Sequence, residues 1–372
     1  MDEDSTIIRR RAEGDRAEPE PLAHVVVVIE PDGRQRRLWL GQAGLRVGRT
    51  PGNDLVLADP EVSRQHCVIE ISGESAVVSD PGSTNGTFVS GRRISGSAPL
   101  RHGETLRIVH WTLRYECGTR AEMERAAEID RELERAGAYI RGLLPEPIAE
   151  GPVRADWRFL PCARIGGDAF GYRFLTPDHF AVFLLDVAGH GAGSALLAAT
   201  VMNRLRERAR SATNLAEAEP AAVLAGLNDA FGMEEQGGLF FSAWYGLYEI
   251  SRRRLAYASA GHHPAFLRRS PEAAPEPLVT RNPPIGTMPG VAFRTAETEV
   301  PEGARLLLFS DGAFETTTGD GRIRGLSDFL PVLGRPPSPG VAEVDRLLEA
   351  AREGARPGPF DDDVCILCLE IA

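Results

Sequence analysis

Between residues 25 and 115 the chain alternates short apolar, β-branched runs (25–29, 37–40, 67–71, 76–78, 105–108 and 111–115) with turns rich in Gly, Asn, Pro and Asp. Short runs at that spacing predict an all-β sandwich. The pattern changes at residue 119. From there to residue 144 the sequence is rich in Glu, Arg and Ala and lacks Pro. Ala126, Ile129, Leu133, Ala136, Ile140 and Leu143 recur there at alternating spacings of three and four. That stripe predicts a helix stopped by Pro145 and Pro147. It fits two roles: packing onto a domain of its own chain, or a two-stranded seam joining two copies into a homodimer. From residue 157 onwards strands and helices mix. Runs 180–185, 240–248, 254–259, 305–309 and 364–371 read as strands, with 240–248 beside 254–259 and 305–309 beside 364–371. Residues 194–210 and 341–353 read as helices, and 268–284, rich in Pro and Glu, predicts an extended surface loop. Residues 1–21 are charged and aperiodic, which predicts a mobile tail. The expected organisation is tail 1–21, β domain 22–117, linker helix 118–149 and mixed domain 150–372.

Composition narrows the function. A chain of 372 residues has room for two or three domains, each with its own core. A net charge of -11 argues against a general binder of nucleic acid or anionic membrane. No apolar run approaches the ~20 residues needed to span a bilayer. The acidic start, Met1-Asp2-Glu3-Asp4, is unlike a secretory signal. Five scattered cysteines do not suggest a disulfide framework, so a reducing cytoplasm is expected. Cys365 and Cys368 lie within an apolar run and read as part of a buried strand, not a redox pair. The chain contains no lysine. That excludes the P-loop phosphate binder, the kinase strand lysine and Schiff-base chemistry, and leaves arginine as the permanent cation for phosphate.

Two sets of residues carry candidate chemistry. Asp168 follows Gly166-Gly167, and Asp186 ends an apolar run and opens a Gly-rich turn. Asp311 follows the run 306–309, and Asp362 stands just before another. Carboxylates brought to one place repel unless hard cations such as Mg2+ or Mn2+ hold them, which predicts a metal-dependent hydrolytic centre. In the β domain, Gly48-Arg49, Ser63-Arg64-Gln65-His66 and Gly82-Ser83-Thr84-Asn85-Gly86-Thr87 fall on turns. Arg49 and Arg64 offer charge-assisted bonds to a phosphate, and Ser63, Thr84 and Asn85 add short polar contacts from loops on a rigid sandwich.

The ordered set Gly-Arg, Ser-Arg-x-His and Ser-Thr-Asn-Gly-Thr over residues 22–117 resembles a forkhead-associated (FHA) domain. The resemblance implies phosphothreonine-peptide binding by Arg49, Ser63, Arg64, Thr84 and Asn85, with Gly48 and His66 supporting the loops. Thr6, behind Asp2, Glu3 and Asp4, is a candidate phosphosite. Once phosphorylated, the tail would dock on the FHA site of its own or a neighbouring chain, since about 16 extended residues reach ~50 Å.

The C-terminal part, from Leu143-Leu144-Pro145 to the end, resembles the SpoIIE/RsbU branch of the PPM (PP2C-like) serine/threonine phosphatases. The resemblance rests on Asp186-Val-Ala-Gly-His-Gly, Tyr257-Ala-Ser-Ala-Gly-His-His-Pro, Pro284-Ile-Gly, Ser310-Asp-Gly and Asp362-Asp-Val. It implies an α-β-β-α sandwich (a PPM fold of the α+β class) with two Mn2+ or Mg2+ ions at one end. Asp168, Asp186 and the Val187 carbonyl would hold one side of the pair, and Asp311 and Asp362 the other. The ions would acidify a water for in-line attack on phosphorus. His190 and His262 would orient water or the leaving group, or serve structure alone. A phosphorylated regulatory protein, such as an anti-sigma-factor antagonist, is the implied substrate, and residues 119–145 the implied regulatory helix. Two positions depart from the pattern. Gly171 stands where the family commonly has an acid, and Cys365 where it has Thr. Gly171 favours a rival reading, a non-catalytic phosphothreonine-reading scaffold. A third reading fails: Arg164-Ile-Gly-Gly-Asp-Ala-Phe170 looks like a diguanylate cyclase signature, but Ala169 replaces its acid and the later Asp motifs have no place there.

Overall fold

The structure, a computed structural model, describes residues 21–30, 34–189, 191–211, 215–335, 340–356 and 358–372. The first β region forms strands β1 (Leu22–Ile29), β2 (Gln35–Trp39), β3 (Leu45–Gly48), β4 (Leu55–Val56), β5 (Cys67–Ser72), β6 (Ser75–Ser79), β7 (Thr87–Val89), β8 (Arg92–Arg93), β9 (Ser97–Leu100), β10 (Thr105–Ile108) and β11 (Trp111–Thr119). They pair as two sheets, β2-β1-β11-β10-β7-β8 and β4-β3-β5-β6-β9, whose facing sides bury Val26, Val28, Val47, Ile69, Val78 and Leu113. The strands that the apolar pattern did not reveal, β3, β4, β7, β8 and β9, are short or polar, so their periodicity is weak. The unbroken apolar run of β1 has a physical reason: its other face, Val25, Val27 and Ile29, is covered by Met123 of the following helix.

That helix, α1 (Arg120–Arg141), begins at Thr119, whose hydroxyl accepts from the Glu122 amide while Glu122 caps back. Its buried residues are Met123, Gly137 and Ile140. The predicted stripe is only partly used, because Ile129 remains 50% exposed while Ile140 packs with Ile165, Ala195 and Ala199.

The remaining chain forms β12 (Val153–Leu160), β13 (Asp168–Thr176), β14 (His179–Val187), α2 (Ala192–Ser211), α3 (Pro220–Ala230), β15 (Phe241–Glu249), β16 (Arg254–Ala260), β17 (Ala265–Arg268), β18 (Glu276–Leu278), β19 (Ala296–Glu299), β20 (Arg305–Phe309), α4 (Leu326–Leu333), α5 (Glu343–Arg352) and β21 (Val364–Ile371). Sheet β13-β14-β15-β16-β19 carries α2 and α3, and sheet β12-β21-β20-β17-β18 carries α5 with α4 beside it. The result is the expected α-β-β-α sandwich. Phe170, Tyr172, Phe180 and Trp157 stack between its sheets.

The surface loop expected over 268–284 is corrected. Residues 276–278 pair with β17, Leu278 is buried, and Arg268 is 1% exposed with its guanidinium on the carbonyls of Leu333 and Arg335. Thr280 and Asn282 then bond to Ser259. Pro and Glu content misled here because an edge strand tolerates both. Cys365 and Cys368 are buried and free, three residues apart on β21, so they face opposite sides of the sheet.

Candidate metal and phosphopeptide sites

Strand register assembles the carboxylates. Asp168 opens β13 directly opposite Asp186 near the end of β14. β20 delivers Asp311 into a turn that touches the residues before β21: a methyl group added at Gly312 would lie 2.1 Å from the Asp363 carbonyl oxygen. Ser310 locks the same junction. Its hydroxyl donates to the Asp363 carbonyl at 3.0 Å and accepts from the Cys365 amide at 2.9 Å. Asp362 is exposed at the rim, and its charge acts on both Asp186 and Asp311.

The electrostatics of this end ask for cations. Burial, followed by the charge of Asp186, holds the Asp168 carboxyl far above its ordinary range. Burial, then the charges of Asp311 and Asp362, pushes Asp186 up to about 7. Asp311 is pushed up to about 6 by burial and by Asp362. Asp168 is 3% exposed, and its Oδ2 has no hydrogen-bond partner among the described residues. A buried carboxylate oxygen without a donor is costly unless a cation meets it. The donor set is all oxygen, which fits Mg2+ or Mn2+.

Asp363, which the sequence does not set apart from its two neighbours, has a role of its own. It is 3% exposed; its Oδ1 accepts from the Cys162 amide at 2.8 Å and its Oδ2 from the Gly167 amide at 2.6 Å. It thereby pins the glycine loop that presents Asp168. The glycines are required by close approach: a methyl group at Gly166 would lie 2.6 Å from the Asp363 carboxylate, and one at Gly167 3.2 Å from the Val187 carbonyl oxygen. The run of three Asp was visible in sequence, but not which of them is buried: Asp361 and Asp362 are exposed, and only Asp363 is sealed beneath the glycine loop.

The departures find places. Gly171 lies three residues after Asp168 on β13, hence on the opposite face, where the Phe183 ring covers it: an added methyl group would lie 2.5 Å from that ring. An acid there would not reach the Asp168 end. Cys365 is buried beside Ser310. His262 has its Nδ1 on the His263 carbonyl at 2.8 Å, its Nε2 sealed without a partner among the described residues, and its pKa lowered by burial to about 4. His263, not singled out before, stacks on Phe309 at 4.9 Å. His190 and Thr6 lie outside the described residues.

In the β domain the selected residues converge on neighbouring loops. Arg49, Arg64, Thr84 and Asn85 are exposed, and Ser63 is half-buried. The Ser63 hydroxyl accepts from the Thr84 amide at 3.0 Å, and the Asn85 side chain donates to the Glu61 carbonyl at 2.8 Å. Buried His66 accepts from the Ser63 amide through Nδ1, so its Nε2–H donates to the Gly86 carbonyl at 3.2 Å. Burial lowers its pKa, in keeping with that neutral tautomer. Gly48 is dictated by space, since a methyl group there would lie 2.3 Å from the Arg64 carbonyl oxygen. Asn53, which sequence reasoning missed, holds that carbonyl at 2.7 Å.

Charged side chains join the two regions through α1. Arg37 of β2 pairs with Asp130 of α1 at 2.5 Å and with Glu116 at 2.6 Å. Arg164, on the loop leading to Asp168, pairs with the same Asp130 at 2.9 Å and with Glu134 at 2.6 Å. Gly137 lets α1 lie on that loop, because a methyl group there would sit 2.4 Å from the Arg164 carbonyl oxygen.

Comparison with known proteins agrees with this division. Residues 176–372 match the family model described as Stage II sporulation protein E (SpoIIE), and residues 45–109 match the FHA domain. Phosphoserine phosphatase RsbP of Bacillus subtilis is 26% identical over 245 residues, which is 65% of this chain and 58% of that protein. The chain thus spans little more than half the length of that relative. The transcriptional regulatory protein EmbR of Mycobacterium tuberculosis is 38% identical over 82 residues, 22% of this chain and 21% of that protein. Among solved structures, the SiaA-PP2C domain of Pseudomonas aeruginosa superposes with a TM-score of 0.55 at 21% identity, covering 67% of this chain and 99% of that one, a likeness of fold.

Proposed function

The chain belongs to the SpoIIE family, and from that premise we propose that it is a metal-dependent protein serine/threonine phosphatase, targeted or regulated through phosphothreonine binding by its FHA domain. The observation that carries the reading is the buried Asp168 oxygen without a partner, facing Asp186 and raised far out of the ordinary carboxylate range by that neighbour and by burial. Asp168, Asp186, the Val187 carbonyl, Asp311 and Asp362 would hold two Mn2+ or Mg2+ ions. Bound there, the ions supply charge neutralisation for a phosphoryl group and acidify water. The reaction takes a phosphoserine or phosphothreonine ester and water to the free hydroxyl and inorganic phosphate. Within it, Asp363 and Ser310 keep the carboxylate-bearing loops in register. His262, with its lowered pKa and occupied Nδ1, serves structure.

Arg49, Ser63, Arg64, Thr84 and Asn85 form the phosphothreonine site of this reading. Its partner is a phosphothreonine protein or the chain's own tail phosphorylated at Thr6. The chain Arg37–Asp130–Arg164 gives α1 a path from the FHA sheet to the Asp168 loop, which supports the regulatory role assigned to residues 119–145. Of the stripe expected to join two copies, Ile129 remains exposed for a homodimer contact, while Leu133, Ile140 and Leu143 pack within the chain. An anti-sigma-factor antagonist is the substrate class that the family suggests. Gly171, the residue that favoured a non-catalytic scaffold, faces away from Asp168 and lends that rival no support.

The test is Mn2+-dependent phosphate release from phosphoserine and phosphothreonine proteins by the full chain, against Asp186→Asn and Asp311→Asn. Activity in the parent and its loss in both variants is the expected result. Release that is indifferent to chelator or to both substitutions would end the reading. Removal of residues 1–117 should change the rate on at least one phosphoprotein, and an unchanged rate on all of them would remove the FHA domain from the account.

A further inference from the structure

The phosphothreonine loops lead towards the carboxylate end by a route other than α1. Asn85 holds the Glu61 carbonyl, and the Glu61 carboxylate lies 3.5 Å from Nε2 of His110. His110 stands on the tight turn between β10 and β11. There Val109 adopts a φ of 55°, a conformation that β-branched residues rarely accept, and one worth keeping where function requires it. His110 lines a crevice of about 190 Å³ together with Thr316, Thr317, Arg356, Phe360 and Asp361 of the mixed domain. The Thr316 hydroxyl is buried there without a hydrogen-bond partner among the described residues. The far wall is continuous with the candidate metal site: Asp361 accepts from the Thr317 amide at 2.9 Å, pairs with Arg356, and immediately precedes Asp362.

We infer that one substrate chain is read at both sites. Its phosphothreonine sits on the FHA loops, and the following or preceding segment runs past His110 through the crevice. A second phosphorylated Ser or Thr is thereby delivered to the Asp168–Asp186 end. The substrate class is therefore a doubly phosphorylated protein segment, and this deepens the phosphatase reading, on which it rests. The crevice suits such an occupant, because Arg352 and Arg356 on its wall outnumber the one lining carboxylate, Asp361, and so favour an acidic chain. The two phosphate sites are separate points along this route, so one chain engages both only through a spacer of several extended residues, each reaching at most about 3.3–3.6 Å. Capture at the first site raises the effective concentration of the second phosphate into the millimolar range, so kcat/KM should rise about 10- to 100-fold.

The experiment uses the full chain with Mn2+ and synthetic peptides bearing phosphoserine alone, phosphothreonine alone, or both, separated by two, six or fourteen residues in either order. Phosphate release from phosphoserine is read as the ratio of kcat/KM for doubly over singly phosphorylated peptide, measured within each variant. Support is a ratio above 10 at six or fourteen residues in one order and near one at two residues, collapsing towards one in both His110→Trp, which fills the crevice, and Arg64→Ala. A ratio near one at every spacing, with the single phosphoserine peptide still hydrolysed, overturns the inference and leaves the phosphatase reading standing. A high ratio that ignores spacing or survives His110→Trp overturns it equally, since capture without a shared path would then suffice. If no peptide releases phosphate, the phosphatase reading itself fails and takes this inference with it.

Discussion

Replacing Asp186 by Asn should stabilise the metal-free protein, although the proposed mechanism makes activity depend on this residue. In the metal-free fold Asp186 has its pKa raised from 3.8 to about 7, first by burial and then by the charges of Asp311 and Asp362. A raised carboxyl pKa means that the folded state binds the proton more tightly than the unfolded state does. Stability is therefore lost as pH climbs from the unfolded value of about 4 towards 7, and the full penalty is present above that. At ~1.4 kcal/mol per pH unit the rise corresponds to about 4 kcal/mol as an upper bound. Asp186 is only half-buried, so water and counterions screen part of this, and the expected gain at pH 8 is roughly 1–3 kcal/mol. For a domain of this size that amounts to about 3–9 °C in Tm.

The assay is scanning calorimetry of chelator-treated parent and Asp186→Asn at pH 4 and pH 8, followed by the same pair in excess Mn2+. At pH 4 the two should melt together, because the parent carboxyl is then largely protonated. At pH 8 without metal the variant should melt higher. With Mn2+ the order should reverse, since only the parent gains binding energy, ~2.7 kcal/mol at one hundred times Kd. A gap that does not depend on pH, or a variant that melts lower than the parent at pH 8 without metal, would refute the reasoning.

Metal loading should release more protons at pH 6, where Asp186 is mostly and Asp311 about half protonated, than at pH 8, where both are largely ionised; titration in weak buffer with a pH electrode checks this. Gly171→Asp should not raise activity and should cost about 1–3 kcal/mol in urea unfolding, because the new side chain meets the Phe183 ring. Asp363→Ala leaves the Gly167 and Cys162 amides unpaired, so it should lower Tm by several degrees and weaken Mn2+ affinity in calorimetry. Phosphothreonine-peptide affinity should fall only once pH drops below the ordinary histidine range, because burial lowers the His66 pKa and its protonation breaks the Nδ1 contact that shapes the Ser63 loop; an isothermal titration series taken down through the acid range from pH 7.5, against a His66→Asn variant, measures it.

The sequence revealed most where a physical constraint repeats along the chain. Long apolar strands such as β14, β15, β20 and β21 emerged from runs of buried residues. The four aspartates stood out because each abuts such a run or a glycine turn. Short strands left too little to read: β4 is two residues long with only Leu55 buried, and β8 is Arg92–Arg93, both exposed. Gly171 looked like a lost acid until strand register showed that its side of β13 faces α2 and a covering ring. Period alone would have put 168 and 171 on opposite faces, a signal present in the sequence once β13 is placed.

What stayed hidden are residues whose partners are far away in sequence. Asp363 bonds to an amide 196 positions earlier, and Arg164 reaches Asp130 and Glu134 on α1. These contacts share one property: each ties a charged side chain to the glycine loop that presents Asp168, from the β21 side or from the α1 side. Buried ion pairs are weak net glue, because desolvation offsets much of their attraction, but breaking one partner is expensive. Arg164, 9% exposed, therefore penalises α1 for leaving without adding much stability while it stays. A loop gripped that way from opposite sides responds to movement of α1 at its most constrained point, the two glycines before Asp168. Charge, more than apolar burial, then sets how α1 is seated, so Asp130→Asn should loosen the helix from the loop, seen as faster amide exchange over residues 164–168, while the β1–Met123 contact holds its first turns in place.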